Sequence, residues 1–123
     1  MDAQELLKHA TEFTFYPEGA KNDEINGDHH KITVTERSPG RWAVIHMGQC
    51  WDGEDWDYEA SPSNRTDAFK KKTRFSLEKA IELASGMVET VLVNGRTYSQ
   101  WQEHFKGVIA WEESRKKENS SRA

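Results

Sequence analysis

Cysteine, long apolar runs and the signatures of common enzymes are what this sequence lacks. One cysteine, Cys50, in 123 residues rules out an internal disulfide and a four-cysteine zinc site. A lone thiol fits a reducing compartment, and the expected location is the cytoplasm. No stretch approaches the roughly 18 consecutive apolar residues that cross a bilayer. Met1-Asp2-Ala3-Gln4-Glu5 has neither the basic start nor the apolar stretch of a secretory leader, so neither export nor a membrane partner is expected. No Gly-rich phosphate loop precedes a helix, and no GxSxG elbow or HExxH pair occurs. Enzymes of those types are therefore disfavoured, and no cofactor is expected.

Basic charge is scarce in the first half of the chain. Residues 1–60 hold 13 acidic and 5 basic side chains and residues 61–123 hold 8 and 12, so the net charge of −4 conceals halves of −8 and +4. The acidic half argues against a general nucleic-acid binder, which gains affinity by displacing counterions with Lys and Arg. Against these shortages stand five Trp, five Phe and three Tyr, bulky material for one core in a chain whose length suits one domain. The expectation is a single domain over residues 1–115 and a polar, disordered tail over 116–123.

Asp2-Ala3-Gln4-Glu5 has capping-box form ahead of Leu6, Leu7 and Ala10, which predicts a helix over 3–10. Thr11 to Tyr16 alternates Phe13 and Phe15 with polar residues, as a half-buried strand does, and Pro17 to His29 reads as a long loop. From His30 to Ala60, three strand-like segments are divided by Pro39-Gly40 and Asp52-Gly53. Asp-Gly is a strong hairpin signal, because both central residues of a type I′ turn need positive φ. Two-residue loops set Val34 beside Ile45, Ile32 beside Met47 and Met47 beside Tyr58, gathering these residues with Ala43, Trp51 and Trp56 on one face. A one-residue slip would reverse every side chain. Ser61 to Arg74 reads as a polar connector. Ser76 then caps a helix over 77–90 carrying Leu77, Ala80, Ile81, Ala84, Met87, Val88 and Val91 on one stripe. Asn94-Gly95 marks a short hairpin, and Ser99 to Gln102 opens a last helix over 100–115. The fold class that follows is α+β, an antiparallel sheet of three to five strands with helices packed on one face.

The other face of that sheet then holds Lys31, Thr33, Thr35 and Arg37, next Trp42, Val44, His46 and Cys50, and last Asp55, Asp57 and Glu59. An exposed Trp42 among carboxylates with His46 suits recognition of a partner with a basic surface. The plainer alternative is that the C-terminal helix covers Trp42 and Val44 and leaves a solvated acidic edge. His46 beside Glu59 could serve a small enzyme or small-ligand site, although no nucleophile has a defined place next to them. His29-His30 with Asp23 and Asp28 could bind a metal only within an irregular loop, and no metal site is assigned. Lys70, Lys71 and Lys72, with Arg65 and Arg74, form the one basic cluster, able to touch phosphates or the acidic strand of a second subunit. The candidate binding residues are thus Trp42, His46, Asp55, Asp57, Glu59, Lys70, Lys71 and Lys72, in a non-enzymatic binding protein with a self-associating homodimer as one possibility.

Arg41-Trp42-Ala43-Val44, Cys50-Trp51-Asp52-Gly53, Phe75-Ser76-Leu77-Glu78-Lys79-Ala80 and Val93-Asn94-Gly95-Arg96-Thr97-Tyr98 together resemble small accessory proteins of bacteriophages and mobile elements, particularly those of actinobacteria. The resemblance covers about residues 30–105 and carries no catalytic residues with it. It implies a compact cytoplasmic protein, made in an infected or lysogenic host, that acts by binding, as phage inhibitors of host proteins do.

Overall fold

In the computed structural model, Glu5, Lys8, His9 and residues 10–121 are described, the last four of these by backbone alone. Half of the helix expected over 3–10 lies outside the described residues; Glu5, Lys8 and His9 are helical and Ala10 is not. The fold is α+β. Five strands, β1 (Glu12–Phe15), β2 (Ile32–Ser38), β3 (Arg41–His46), β4 (Gln49–Trp51) and β5 (Trp56–Tyr58), form an antiparallel sheet in sequence order. Three helices follow: α1 (Asp67–Lys72), α2 (Leu77–Met87) and α3 (Tyr98–Ser121).

Sheet register departs from the expected one at two places, each with a local cause. Ser38 does face Arg41 across Pro39-Gly40, as a two-residue loop requires, and Gly40 takes the positive φ of 74°. A β-bulge between Glu36 and Ser38 then moves the pairing by one residue, so that Val34 meets Val44 and Thr33 meets Ile45. The second departure is a hairpin where a continuous strand was expected. Met47 and Gly48, at φ 49° and 77°, turn β3 back into β4, pairing Ile45 with Cys50 and His46 with Gln49. Beyond it, Trp51 faces Trp56, so the Asp52-Gly53 loop spans residues 52–55 instead of two.

These two shifts exchange the faces of β3. Ile32 and Val34 share the core face with Trp42 and Val44, while Ala43, Ile45 and Cys50 lie on the reverse. Trp42 is 4% exposed, its ring 5.8 Å from that of Phe13. The expectation of an exposed Trp42 beside carboxylates is therefore corrected: the bulge turns it into the core. Its backbone is fixed as well, because Phe75 exchanges two 2.8 Å hydrogen bonds with it along the edge of β3 that short β4 leaves open.

Helix α2 closes the core face. Ser76 accepts from Lys79 N at 3.2 Å as its N-cap, and fully buried Ala80 and Ala84 lack bulk that would hold the helix away from β2 and β3. The expected stripe is borne out by Val88 and Val91, both buried. Helix α3 is longer than expected and runs through six residues of the presumed tail. Its first turns are anchored to the rest of the fold. Tyr98 Oη donates to Asp23 at 2.8 Å, and Trp101 Nε1 donates to the Val93 carbonyl at 2.8 Å. Farther along, Ile109 and Trp111 are exposed.

Candidate functional site

The reverse face of the sheet gains its character from the segment between β5 and α2. The expected polar connector contains α1, capped by Thr66, whose Oγ1 accepts from Phe69 N at 3.1 Å. Helix α1 carries Lys70 and Lys71 towards the β2–β3 turn, where Arg41 donates to the Lys70 carbonyl at 3.4 Å. The bulge between Glu36 and Ser38 contains Arg37, and its guanidinium pairs with Glu59, 22 positions away in sequence.

Glu59 is the centre of the arrangement. Its carboxylate is 9% exposed and meets three guanidinium groups: Arg37 in a short contact, Arg74 at 3.3 Å and Arg65 at 3.6 Å. Burial alone would raise the Glu59 carboxyl; Arg37, the Cys50 thiol and Arg65 outweigh it and hold the group below its ordinary range. Arg74, 3% exposed, also donates to Thr73 Oγ1 at 3.0 Å and lies over the Phe69 ring. Arg65 Nε donates to the Ala60 carbonyl at 2.8 Å. These contacts hold the planar guanidinium groups in place.

Above this core opens a cleft of about 610 Å³ lined by Arg37, Arg41, Arg65, Lys70, Lys71 and Arg74. Six cationic side chains face Asp67 and Glu59, a local excess of four positive charges in a chain whose net charge is −4. Lys70 pairs with Asp67 at 3.5 Å. Among the described residues Lys71 has no carboxylate partner, and Arg41 touches only a carbonyl.

The expected binding residues fall into separate places. Lys70 and Lys71 line the cleft, and Glu59 lies beneath it. Lys72 instead points to Asp57 at 3.3 Å and Asp52 at 4.0 Å, so the acidic hairpin is partly neutralised within the chain. Asp55 stays exposed in the β4–β5 turn, its N–H donating to Asp52. His46 is corrected too: it is 5% exposed on the core face, with Nε2 donating to the His29 carbonyl at 2.9 Å. Burial lowers its pKa, only partly opposed by that hydrogen bond. It is therefore not paired with Glu59, which lies with Cys50 on the reverse face, and the His46/Glu59 acid–base pair is not formed. Cys50 is buried beside Glu59 and its thiol is pushed up to about 11, mainly by desolvation, which disfavours a nucleophilic role. His29, His30 and their neighbouring carboxylates do not converge, and no group of metal-ligating side chains forms among the described residues.

No family model, curated protein or solved structure matches the chain. The sequence pointed to Arg65, Arg74 and the lysines through their clustering, whereas Arg37 and Arg41 carried a weaker signal, two arginines flanking Pro39-Gly40.

A second concavity, of about 740 Å³, lies on the core face where α2 leaves β4 and β5 uncovered. His46, Trp51, Trp56, Val91 and Leu92 contribute to it, and its lining carries no carboxylate, Lys or Arg. Trp51 Nε1 is buried there without a hydrogen-bond partner.

Proposed function

We propose that this chain is a small non-enzymatic binding protein that recognises an anionic group through the cleft between the β2–β3 turn and α1. Action by binding is also what the resemblance to phage accessory proteins implies. The observation that carries this reading is the excess of four positive charges around one concavity of an otherwise acidic chain. A cleft lined by one sign of charge focuses its field and concentrates counter-ions, even on a protein of opposite net charge. The arginines match the planar geometry of carboxylate and phosphate, and the lysines add mobile charge at the rim. The anionic partner replaces the basic one that an acidic, Trp-bearing face would have required.

Tripolyphosphate titrated calorimetrically into the wild type and into the Arg41→Gln/Lys71→Gln variant tests the reading. Both side chains are exposed, so the variant keeps its thermal transition while affinity falls by roughly tenfold or more, and raising salt weakens wild-type binding. Equal binding by the two proteins would refute it.

A further inference from the structure

The inner part of the cleft is built for more than a single negative charge. Three guanidinium groups converge on one carboxylate, which leaves two positive charges uncompensated. They are not all solvated: Arg74 is 3% exposed, Arg65 15% and Arg37 30%. Positive charge withdrawn from water without a counter-charge is unfavourable, and a ligand that supplies both missing charges relieves it most fully. Donors remain for such a ligand. Each guanidinium has five N–H groups; the contacts with Glu59 and Ala60 leave several on Arg37 and Arg65, whereas Glu59, Thr73 and the Cys50 thiol leave Arg74 few.

We infer that Arg37, Arg65 and Arg74, held in place by Glu59, form a subsite for a phosphate dianion, either a terminal phosphate ester or the free ion, in preference to a phosphodiester. This rests on the anion-binding reading of the cleft and narrows it. A diester carries one charge and leaves the cluster at +1; a terminal phosphate carries up to two and brings three acceptor oxygens to the forked donors. The cleft's size agrees, since about 610 Å³ lies within the range of small-ligand sites. A polymeric backbone would have to follow an extended basic track, yet the Asp52–Glu59 hairpin beside the cleft is acidic. Arg41 and Lys71 at the rim stand where they can meet whatever the phosphate is attached to.

The test compares methyl phosphate, dimethyl phosphate, inorganic phosphate and sulfate, titrated into the full chain and followed by the Nε–H resonances of the arginines. Methyl phosphate should bind about tenfold more tightly at pH 7.5 than at pH 5.0, because its second ionisation lies near 6. Sulfate, dianionic at both pH values, should change less than twofold. Dimethyl phosphate should bind at least tenfold more weakly than methyl phosphate at pH 7.5. Methyl phosphate against inorganic phosphate then separates an esterified from a free source. Arg37→Gln, at the most exposed of the three arginines, should lose at least tenfold in affinity for methyl phosphate with its spectrum otherwise folded. Equal binding of monoester and diester, or the same pH dependence for sulfate, would overturn the assignment. Tripolyphosphate binding that depends on Arg41 and Lys71, with no response to methyl phosphate, would overturn the dianion subsite and leave the cleft reading intact.

Discussion

Replacing Glu59 by Gln isolates the contribution of the buried anion, because the side chain keeps its shape and one carbonyl oxygen while losing its charge. In the wild type that carboxylate is 9% exposed and faces three guanidinium groups, two of them at 3.3 and 3.6 Å. Removing one partner of a buried ion pair typically costs about 3–5 kcal/mol, chiefly because the other charge is left uncompensated. Here three charges are left, although Arg37 is 30% exposed and water offsets part of its loss. The lower end, about 3 kcal/mol, is the expected cost, which corresponds to roughly 12 °C in Tm for a chain of this size. The pH dependence supplies a second reading. The Glu59 carboxyl titrates below its ordinary range when folded, so the unfolded chain binds the proton first as pH falls. Glu59 therefore contributes fully above its unfolded pKa, and that contribution is lost as pH drops through the folded one. Urea denaturation of both proteins at pH 7 and at successively lower pH measures this. The gap should be widest at neutral pH and narrow on acidification. A loss under about 1 kcal/mol at pH 7, or a gap independent of pH, would show that Glu59 is solvated and does not organise the arginines.

Two further substitutions probe the parts of the fold that differ from the sequence-based expectation. Trp42→Ala should cost about 3–5 kcal/mol in urea denaturation, the usual penalty for emptying an aromatic site in a core; a variant as stable as wild type would place Trp42 at the surface. Met47→Asn should stabilise the chain by about 0.5–1 kcal/mol, because Met47 is 63% exposed and held at φ 49° in a turn position that Asn tolerates better. A destabilised variant would instead assign the Met47 side chain a packing role.

The pattern of local signals made much of this fold legible, and the exceptions share a physical origin. The Ser76 cap and the stripe from Ala80 to Val91 are helix signals confined to neighbouring residues, and α2 forms where they place it. The Asn94-Gly95 turn is equally local, with φ 50° and 80° closing the bridge between Val93 and Arg96. The β3–β4 hairpin leaves little mark in the sequence because Met47 at its first turn position gives none of the usual Asn, Asp or Gly signal. Trp51 and Trp56 nevertheless stay on one face, since lengthening their loop by two residues preserves the two-residue period.

The bulge at Arg37 is different in kind, because neither hydrophobic alternation nor turn chemistry marks it. Without it, the pairing of Ser38 with Arg41 would continue into Glu36 with Ala43 and Val34 with Ile45, the expected register. Its cause is non-local: the extra residue puts Ile32 and Val34 on the face shared by Trp42 and Val44, and the Arg37 guanidinium reaches Glu59 on the opposite face. Without the bulge Trp42 would turn away from the core, whereas Arg37 would keep the face expected of it, the one shared with Glu59. The residue that sets the core register is therefore also a member of the arginine cluster around Glu59, so the packing of one face and the ion pairing of the other meet at a single position.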